Sequence, residues 1–516
     1  MRVSGLVSTC VAAVFFTPLA GAQVQSTAGL NSYHRAKQVL DAGVKAIGGL
    51  EALRAVKTVR RQMSGEWIGS GQHPRPYAVT APTLIAPPAN GLDELTSLID
   101  YNGNRWLEEK VESDIKREDS ITRRNSGTDR SGFETITFRQ EKSYYRAYSD
   151  DDARPLHVRR FRRYPEGVLR VALSRPETLE WVGTGMELGR QQQVISFSDS
   201  LGTRVLLYFD AKTHLLTKSE LLREHALAGD TFADMIYQDY RPVGQLQLPF
   251  RYIDRVAGVP TEEMRATSIE LDVTLPEERF RPPQTQDVVL MAADPAEPAV
   301  ERLGENLYMI RGPYNIVFAA FRDHIVAFEA PLNSRYSETC LKLIRATVPG
   351  KPIRYLVSTH FHYDHVAGVR PYIAEGIPIL TTPDAKAIVD QVASSRRTMY
   401  PDALSRKPQA PNIETLSGPR VLDDGSNRVE LYDFGPTDHI TQMLVVYFPK
   451  EKLLFQADVW DPISLELVIA GPDTVNLAKR IQELGLQVER IIPVHGLPAT
   501  MEALKRGLAV RAKYVP

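Results

Sequence analysis

Between residues 33 and about 47 the apolar side chains fall at Val39, Leu40, Val44 and Ile47, the spacing of one helix face, and Gly48-Gly49 closes the run. A second short helix is expected over 50–56. The texture then changes. From Thr58 to about Pro282 the chain reads as strand-like segments at 58–68, 98–111, 134–147, 193–197, 204–209, 215–222 and 264–273. Turn residues separate them, among them Pro165-Glu166-Gly167, Asp210-Ala211-Lys212-Thr213 and Gly258-Val259-Pro260. This pattern predicts a long antiparallel sheet with little helix. One charge run, Arg159-Arg160-Phe161-Arg162-Arg163-Tyr164, interleaves cations with aromatics and reads as a solvated strand.

A stretch rich in Pro, Ala and acidic residues runs from Arg281 to Pro298 and divides the chain. It places a β-rich domain at 23–285, a linker at 286–299 and a second domain at 300–516. In the second domain apolar strands at 307–311, 316–321, 325–330, 353–357 and 377–381 alternate with helices expected at 335–348 and about 384–394. Strands alternating with helices predict layered α/β packing. The whole is an α+β two-domain fold.

Composition narrows the setting. The 516 residues carry 62 basic and 63 acidic side chains, so nothing in the balance calls for nucleic acid or an anionic membrane surface. Met1-Arg2, a largely apolar Val11 to Ala20, and Ala20-Gly21-Ala22 before Gln23 have the form of a cleavable signal peptide, residues 1–22. A periplasmic or secreted protein is expected, without stable membrane insertion, because no later segment approaches eighteen apolar residues. Cleavage after Ala22 removes Cys10 and leaves Cys340, so no intrachain disulfide can form. Cys340 falls in the helix at 335–348 and is expected to be a small buried apolar side chain.

The chemistry is concentrated in Ser358-Thr359-His360-Phe361-His362-Tyr363-Asp364-His365-Val366-Ala367-Gly368, which holds three of the chain's eleven histidines within six positions. The stretch follows the apolar strand 353–357 and precedes a short helix. Extended residues two apart point the same way, so His360, His362 and Asp364 can converge while His365 enters from the turn. A catalytic metal leaves a coordination position open, so four ligands on one loop suit two ions better than one. Further candidates close later apolar strands: His439 in Gly435-Pro436-Thr437-Asp438-His439, Asp458 after 452–456, and His495-Gly496 after 491–494.

The cluster, the later His, the Asp and the terminal His-Gly occur in the order of the metallo-β-lactamase-fold hydrolase superfamily, which residues 300–516 resemble. The resemblance implies an αββα sandwich. It also implies that His360, His362 and His439 hold one metal, that Asp364, His365 and His495 hold a second, and that Asp458 bridges them. Imidazoles mixed with carboxylates suit two Zn²⁺, with Fe or Mn left open. His362 stands where the flavodiiron relatives place Glu, which argues against redox chemistry. Asp458 stands where many β-lactamases carry Cys or Ser, and Asp461 where many of them carry a carboxylate-pairing Lys. Where the family has Asp after an early strand, this chain has Glu329, a longer acid in a supporting position. A second resemblance rests on Ile47-Gly48-Gly49, Tyr208-Phe209-Asp210, Leu215-Leu216-Thr217-Lys218, Tyr240-Arg241 and Leu248-Pro249-Phe250. These are similar to the curved half-barrel of the periplasmic lipoprotein carriers, which implies an antiparallel β half-barrel at about 33–285 with a concave face for an apolar ligand.

With the signal peptide supplying export, the resemblance implies a dinuclear-zinc hydrolase that cleaves an activated carbonyl of a small molecule, an ester, lactone, thioester or related compound. A hydroxide shared by two ions about 3.5 to 4 Å apart would attack, and Asp364 would handle the proton. A β-lactamase is one alternative. A lipid-binding protein with an accessory hydrolase domain is another. The low-periodicity stretch 396–418 is expected as a loop near the site, with Tyr400 and Arg406 as candidate substrate contacts.

Overall fold

The structure is a computed structural model that describes residues 28–68, 72, 75–76, 91–113, 120–138, 143–284, 288–290, 297–437, 439–464 and 470–513. The signal-peptide residues lie outside that set. Among the described residues no helix is long and apolar enough to cross a membrane.

The first unit is built outward from one strand. Thr58–Trp67 pairs antiparallel with Gly91–Asp100 on one side, and four further strands follow in chain order to Ser143–Tyr148. On its other side it pairs with Val259–Leu271, behind which the strands run in reverse order to Glu180–Glu187. Among the described residues this makes a fourteen-stranded sheet. The helix Ala28–Ala46 places Ala36, Val39, Leu40 and Val44 in one buried cluster with Ile195, Phe197, Leu207 and Phe209. A second helix, Pro165–Leu173, adds Val168, Leu169 and Ala172 to that cluster. Below them Arg61 and Glu166 form a fully buried ion pair at 2.6 Å, with Tyr101 donating to the same carboxylate at 3.0 Å.

Three sequence expectations change here. The strand expected over 98–111 is two strands, Gly91–Asp100 and Arg105–Ser113, because the Asp100 carboxylate accepts from the backbone N–H groups of Asn102 and Gly103 and folds a tight turn. The strand expected over 134–147 is likewise an antiparallel pair, Gly132–Phe138 and Ser143–Tyr148. The arginine run is not a solvated strand. It ends a helix, Asp150–Arg162, that Ser149 caps by accepting from Asp152 N–H, with arginines in the last turn where the helix dipole favours cations. Nor is it fully solvated, since Arg160 pairs with Glu108 at 2.7 Å and Arg163 pairs with Glu262.

The expected linker contains one strand, Val288–Leu290, which pairs parallel with Ser143–Tyr148 at the sheet edge. Beyond it lie two further sheets. Seven strands from Ala299–Arg302 to Ile413–Thr415 follow one another in chain order, and six from Arg420–Asp423 to Ala499–Thr500 do the same. Strands such as Ile316–Ala320 and Leu444–Phe448 are buried at every position, as continuous apolar runs require when both faces are covered. The two sheets share one core, with Phe328 edge-on to Phe448 at 5.4 Å. Ser334–Thr347 carries Cys340 fully buried, as expected.

Strand direction assembles the site. Ile325–Phe328, Ile353–Val357 and Ile379–Thr381 run parallel, so their C-terminal ends share one edge. In the other sheet Leu453–Gln456 is parallel to Arg490–Pro493. Arg428–Asp433, two antiparallel steps away from Leu453–Gln456, points the same way again. Loops leaving these ends can therefore meet.

The two units are joined by more than the chain. The hairpin of Leu216–His225 and Gly229–Val243 inserts its turn against the loop that follows Pro383–Ser394. Asp230 accepts from Thr398 N–H and from its hydroxyl, each at 2.6 Å, while Asp230 N–H donates to Arg396 O at 2.7 Å. Arg397 reaches Glu224 and the carbonyl of Ala226, and Leu227 is buried within the core of the second unit.

Candidate metal centre

All seven sequence-predicted ligands come to the shared strand edge and sort into two groups. His360, His362, His439 and Asp458 form one, with their ligand atoms within 4.8 Å of one another, and Asp364, His365 and His495 form the other. Asp458 lies between them. Its Oδ2 is 3.2 Å from His360 Nε2 and 2.9 Å from His439 Nε2, and its Oδ1 is 2.9 Å from His365 Nε2 and 3.2 Å from His495 Nε2. One carboxylate thus offers an oxygen to each group.

Whether these residues fit metal ions can be judged from what they lack. His360 Nε2 and Asp458 Oδ1 are buried without a well-aligned hydrogen bond. His365 Nε2 and His495 Nε2 face each other at 3.0 Å, two ring nitrogens that a cation between them would satisfy. Buried polar atoms left this way are costly unless a partner arrives. The donor set, imidazole and carboxylate with no thiolate, suits a divalent first-row ion.

Burial pushes His360 down to about 4 and His362 to about 3, so both rings are neutral at physiological pH, the form that binds metal. Desolvation also lowers His365 and His495, but the adjacent Asp458 outweighs it and both are raised. Desolvation would raise Asp458, yet His365, His360 and His495 hold it well below the usual carboxylate range. The Asp458 carboxylate therefore favours the protonated form of the second group's rings, and a metal bound there would compete with those protons.

The model of the metallo-beta-lactamase superfamily matches residues 327–495, a span that begins two residues before Glu329 and ends on His495. Those residues form a metallo-β-lactamase superfamily domain. The domain is that of a metal-dependent hydrolase. Similar solved structures include a metallo-beta-lactamase from Pontibacter korlensis, 17% identical, covering 42% of this chain and 98% of that one with a TM-score of 0.33. Another is the metallo-beta-lactamase FIM-1 from Pseudomonas aeruginosa in its mono-zinc form, 16% identical, covering 43% and 99% with a TM-score of 0.33.

Glu329, expected from sequence as a supporting acid, does brace the metal site, and several further residues around it carry no sequence signal. Glu329 is fully buried, accepts from the Thr359 hydroxyl at 2.6 Å and lies 3.5 Å from His365 Nδ1. Thr359 Oγ1 is in turn 2.9 Å from His360 Nδ1, so one acid braces a ligand of each group. Glu329 sits at φ 81, a region costly for a residue with a Cβ, and its N–H is tied to Val357 O at 2.8 Å. Tyr314 donates to Asp364 Oδ2 at 3.0 Å and packs edge-on to His495 at 4.4 Å. Asn315 holds the His495 loop by donating to Pro493 O at 2.9 Å and Gly496 O at 3.0 Å. Gly496 has φ 82, and a Cβ there would meet Pro462 O at 2.7 Å, which explains the His-Gly pairing. Gln456 clamps the Asp458 loop through Val459 N–H and Trp460 O. Most of these are single polar residues beside turns, with no spacing that marks them.

The first unit also reaches the metallo-β-lactamase site. Gln72 donates its side-chain amide to Asp364, across 292 positions of sequence. Of the expected substrate contacts, Tyr400 is 66% exposed and Arg406 bonds Pro401 O. Neither joins the cavity beside the ligands.

Proposed function

We propose that the protein is an exported hydrolase with two Zn²⁺ ions that cleaves an activated carbonyl in a small molecule. The observation that carries this is Asp458, whose two oxygens each face one group of three further ligands. His360, His362 and His439 would hold one ion and Asp364, His365 and His495 the other. When bound, the ions would polarise the scissile carbonyl and lower the pKa of the attacking water toward about 7.

The chain's own residues do the rest. Asp364, braced by Tyr314 and Gln72, is positioned to take the proton of the attacking water and pass it to the leaving group. Tyr314 remains a donor, because burial and the neighbouring Asp364 carboxylate both raise its hydroxyl far above its ordinary value. Glu329 fixes the rings of His360 and His365 through Thr359 and directly. We read the two sheets, which share one core, as the centre of an αββα sandwich. Asp461 in place of a cation disfavours a β-lactam carboxylate on that side, and export rests on residues 1–22.

The test is a panel of ester, lactone, thioester, phosphodiester and cephalosporin substrates on the wild-type protein and on Asp364→Ala, with metal content measured. A carbonyl substrate should be turned over by wild type, and activity should fall on chelation and return with Zn²⁺. Full activity after exhaustive chelation with confirmed metal loss would sink the proposal.

A further inference from the structure

Between the two units lies a cavity of about 510 Å³, lined by the first unit's sheet, by the arginine-bearing helix Asp150–Arg162, and by Tyr363 of the ligand loop. Gln72 lines it too, and Gln72 bonds Asp364, so the cavity adjoins the edge of the metal centre. Val39, Leu40, Val44, Val168 and Leu169 from the two helices belong to a separate buried cluster. The cavity's own lining mixes apolar side chains, Val205, Leu221, Met235 and Val256 among them, with a set of charged ones.

Most of those charges cancel. Glu220 pairs with Lys218 at 2.9 Å and Asp234 with Arg255 at 2.6 Å, while Arg163 is held by Glu262 and Arg162 leans on Asp199 at 3.6 Å. With Glu187, which shares both Lys218 and Arg255, the acids and bases around the cavity balance in number, but two guanidiniums stand outside the ion pairs. Among the described residues neither Arg159 nor Arg223 forms an ion pair, and the one acid not neutralised in the lining is Asp254. Burial raises Asp254 to about 6, so at neutral pH it is still mostly a carboxylate and can offset one of the two guanidiniums, Arg159 being the nearer in charge interaction. His225 adds no positive charge. Its Nδ1 accepts from the N–H groups of Leu227 and Ala228, and burial, with Arg223 and Arg397 nearby, lowers it to about 4.

We propose that this cavity is the substrate's second binding site, in which Arg159 and Arg223 of the first unit hold an anionic group, a carboxylate or phosphate, of a molecule whose scissile carbonyl lies at the metal centre. The proposal rests on the hydrolase reading and deepens it. A guanidinium matches either anion with paired N–H donors, and in a partly enclosed site such contacts are worth more than on an open surface. The first unit, on this account, selects the substrate and the second cleaves it.

The test uses the full-length, metal-loaded protein and three p-nitrophenyl esters of similar length: the neutral butyrate, the anionic hemiglutarate and a cationic 4-trimethylammonio-butyrate. Wild type should favour the hemiglutarate over the butyrate by roughly tenfold or more in kcat/KM, and Arg159→Glu with Arg223→Glu should invert the preference toward the cationic ester. Equilibrium titration with glutarate and with inorganic phosphate reads the same site without turnover, and the double variant should bind at least one of them at least tenfold more weakly than wild type. An unchanged preference together with unchanged anion binding overturns the proposal. Loss of anion binding in the variant, with no ester turned over by wild type, would instead keep the cavity and reject the hydrolase.

Discussion

Glu329 is where this chain departs from its superfamily, and shortening it to the usual acid is an informative perturbation. In Glu329→Asp the carboxylate retracts by about 1.5 Å, one carbon–carbon bond. The 2.6 Å contact to Thr359 Oγ1 then opens to about 4 Å, and the 3.5 Å approach to His365 Nδ1 is lost with it. A charge-assisted hydrogen bond of this kind contributes about 1.5–3 kcal/mol, and its loss leaves the His360 and His365 rings less firmly oriented. Metal affinity should fall by roughly 10–100-fold, at both groups, since Glu329 braces one ligand in each. Backbone strain moves the other way. Aspartate tolerates positive φ better than glutamate, but this smaller gain does not offset the buried hydrogen bond, so the metal-free variant should also be less stable, by about 1–3 kcal/mol. Competition titrations against a chromophoric chelator measure the first quantity and urea unfolding of the metal-free proteins the second. Wild-type affinity at both groups in Glu329→Asp would refute the bracing argument, and unchanged metal-free stability would refute the claim that the Thr359 hydrogen bond is lost.

Other outcomes follow from the same geometry. Asp402, buried with Arg370 at 2.6 Å and also bonded to Ser334 and Ser405, should cost about 3–5 kcal/mol when changed to Ala, read as a lower urea midpoint. Desolvation alone would raise its carboxyl, but the Arg370 guanidinium and these hydrogen bonds hold it far below its unfolded value. Its stabilisation is therefore present above the unfolded pKa near 3.9 and is lost as pH falls toward the folded one, so acid unfolding of Asp402→Ala should show less pH dependence below about pH 4. Asp458→Ala removes the shared ligand and should reduce metal content at both groups, measured by elemental analysis, where loss of a single ion would argue against bridging. Cys340, whose thiol burial pushes up to about 12, should react with a thiol reagent only after unfolding. Rapid labelling of the native protein would contradict its burial.

The site was largely legible in the sequence because metal ligands are chemically rare and stand at strand ends, where continuous apolar runs such as Leu444–Phe448 announce themselves. The residues around them were not. Tyr314, Asn315 and Thr359 act through one or two hydrogen bonds each, and Gln72 arrives from a different unit. The long sheet was legible as a class, but its count was not, because the Tyr101-Asn102-Gly103-Asn104 turn lay inside one apolar-rich run. The arginine helix was misread because its charge pattern was weighed ahead of the Ser149 cap that starts it. Pattern reports burial well, and caps and turns decide where elements break.

The seam between the units has a bearing on traffic. Gly229 forms a parallel bridge with Arg396 at φ 70, and a single added carbon there would sit 2.2 Å from the Arg396 carbonyl oxygen. A join that leaves no room for one methyl group, fastened on either side by Arg397 and Asp230, is a rivet and not a hinge. Molecules entering or leaving the enclosed space have to use its open mouth, since parting the halves along this line would break every one of those contacts on each turnover. Among the described residues the second unit contributes Tyr363 to the lining of that space, so a single side chain of the ligand loop bears on what passes through it.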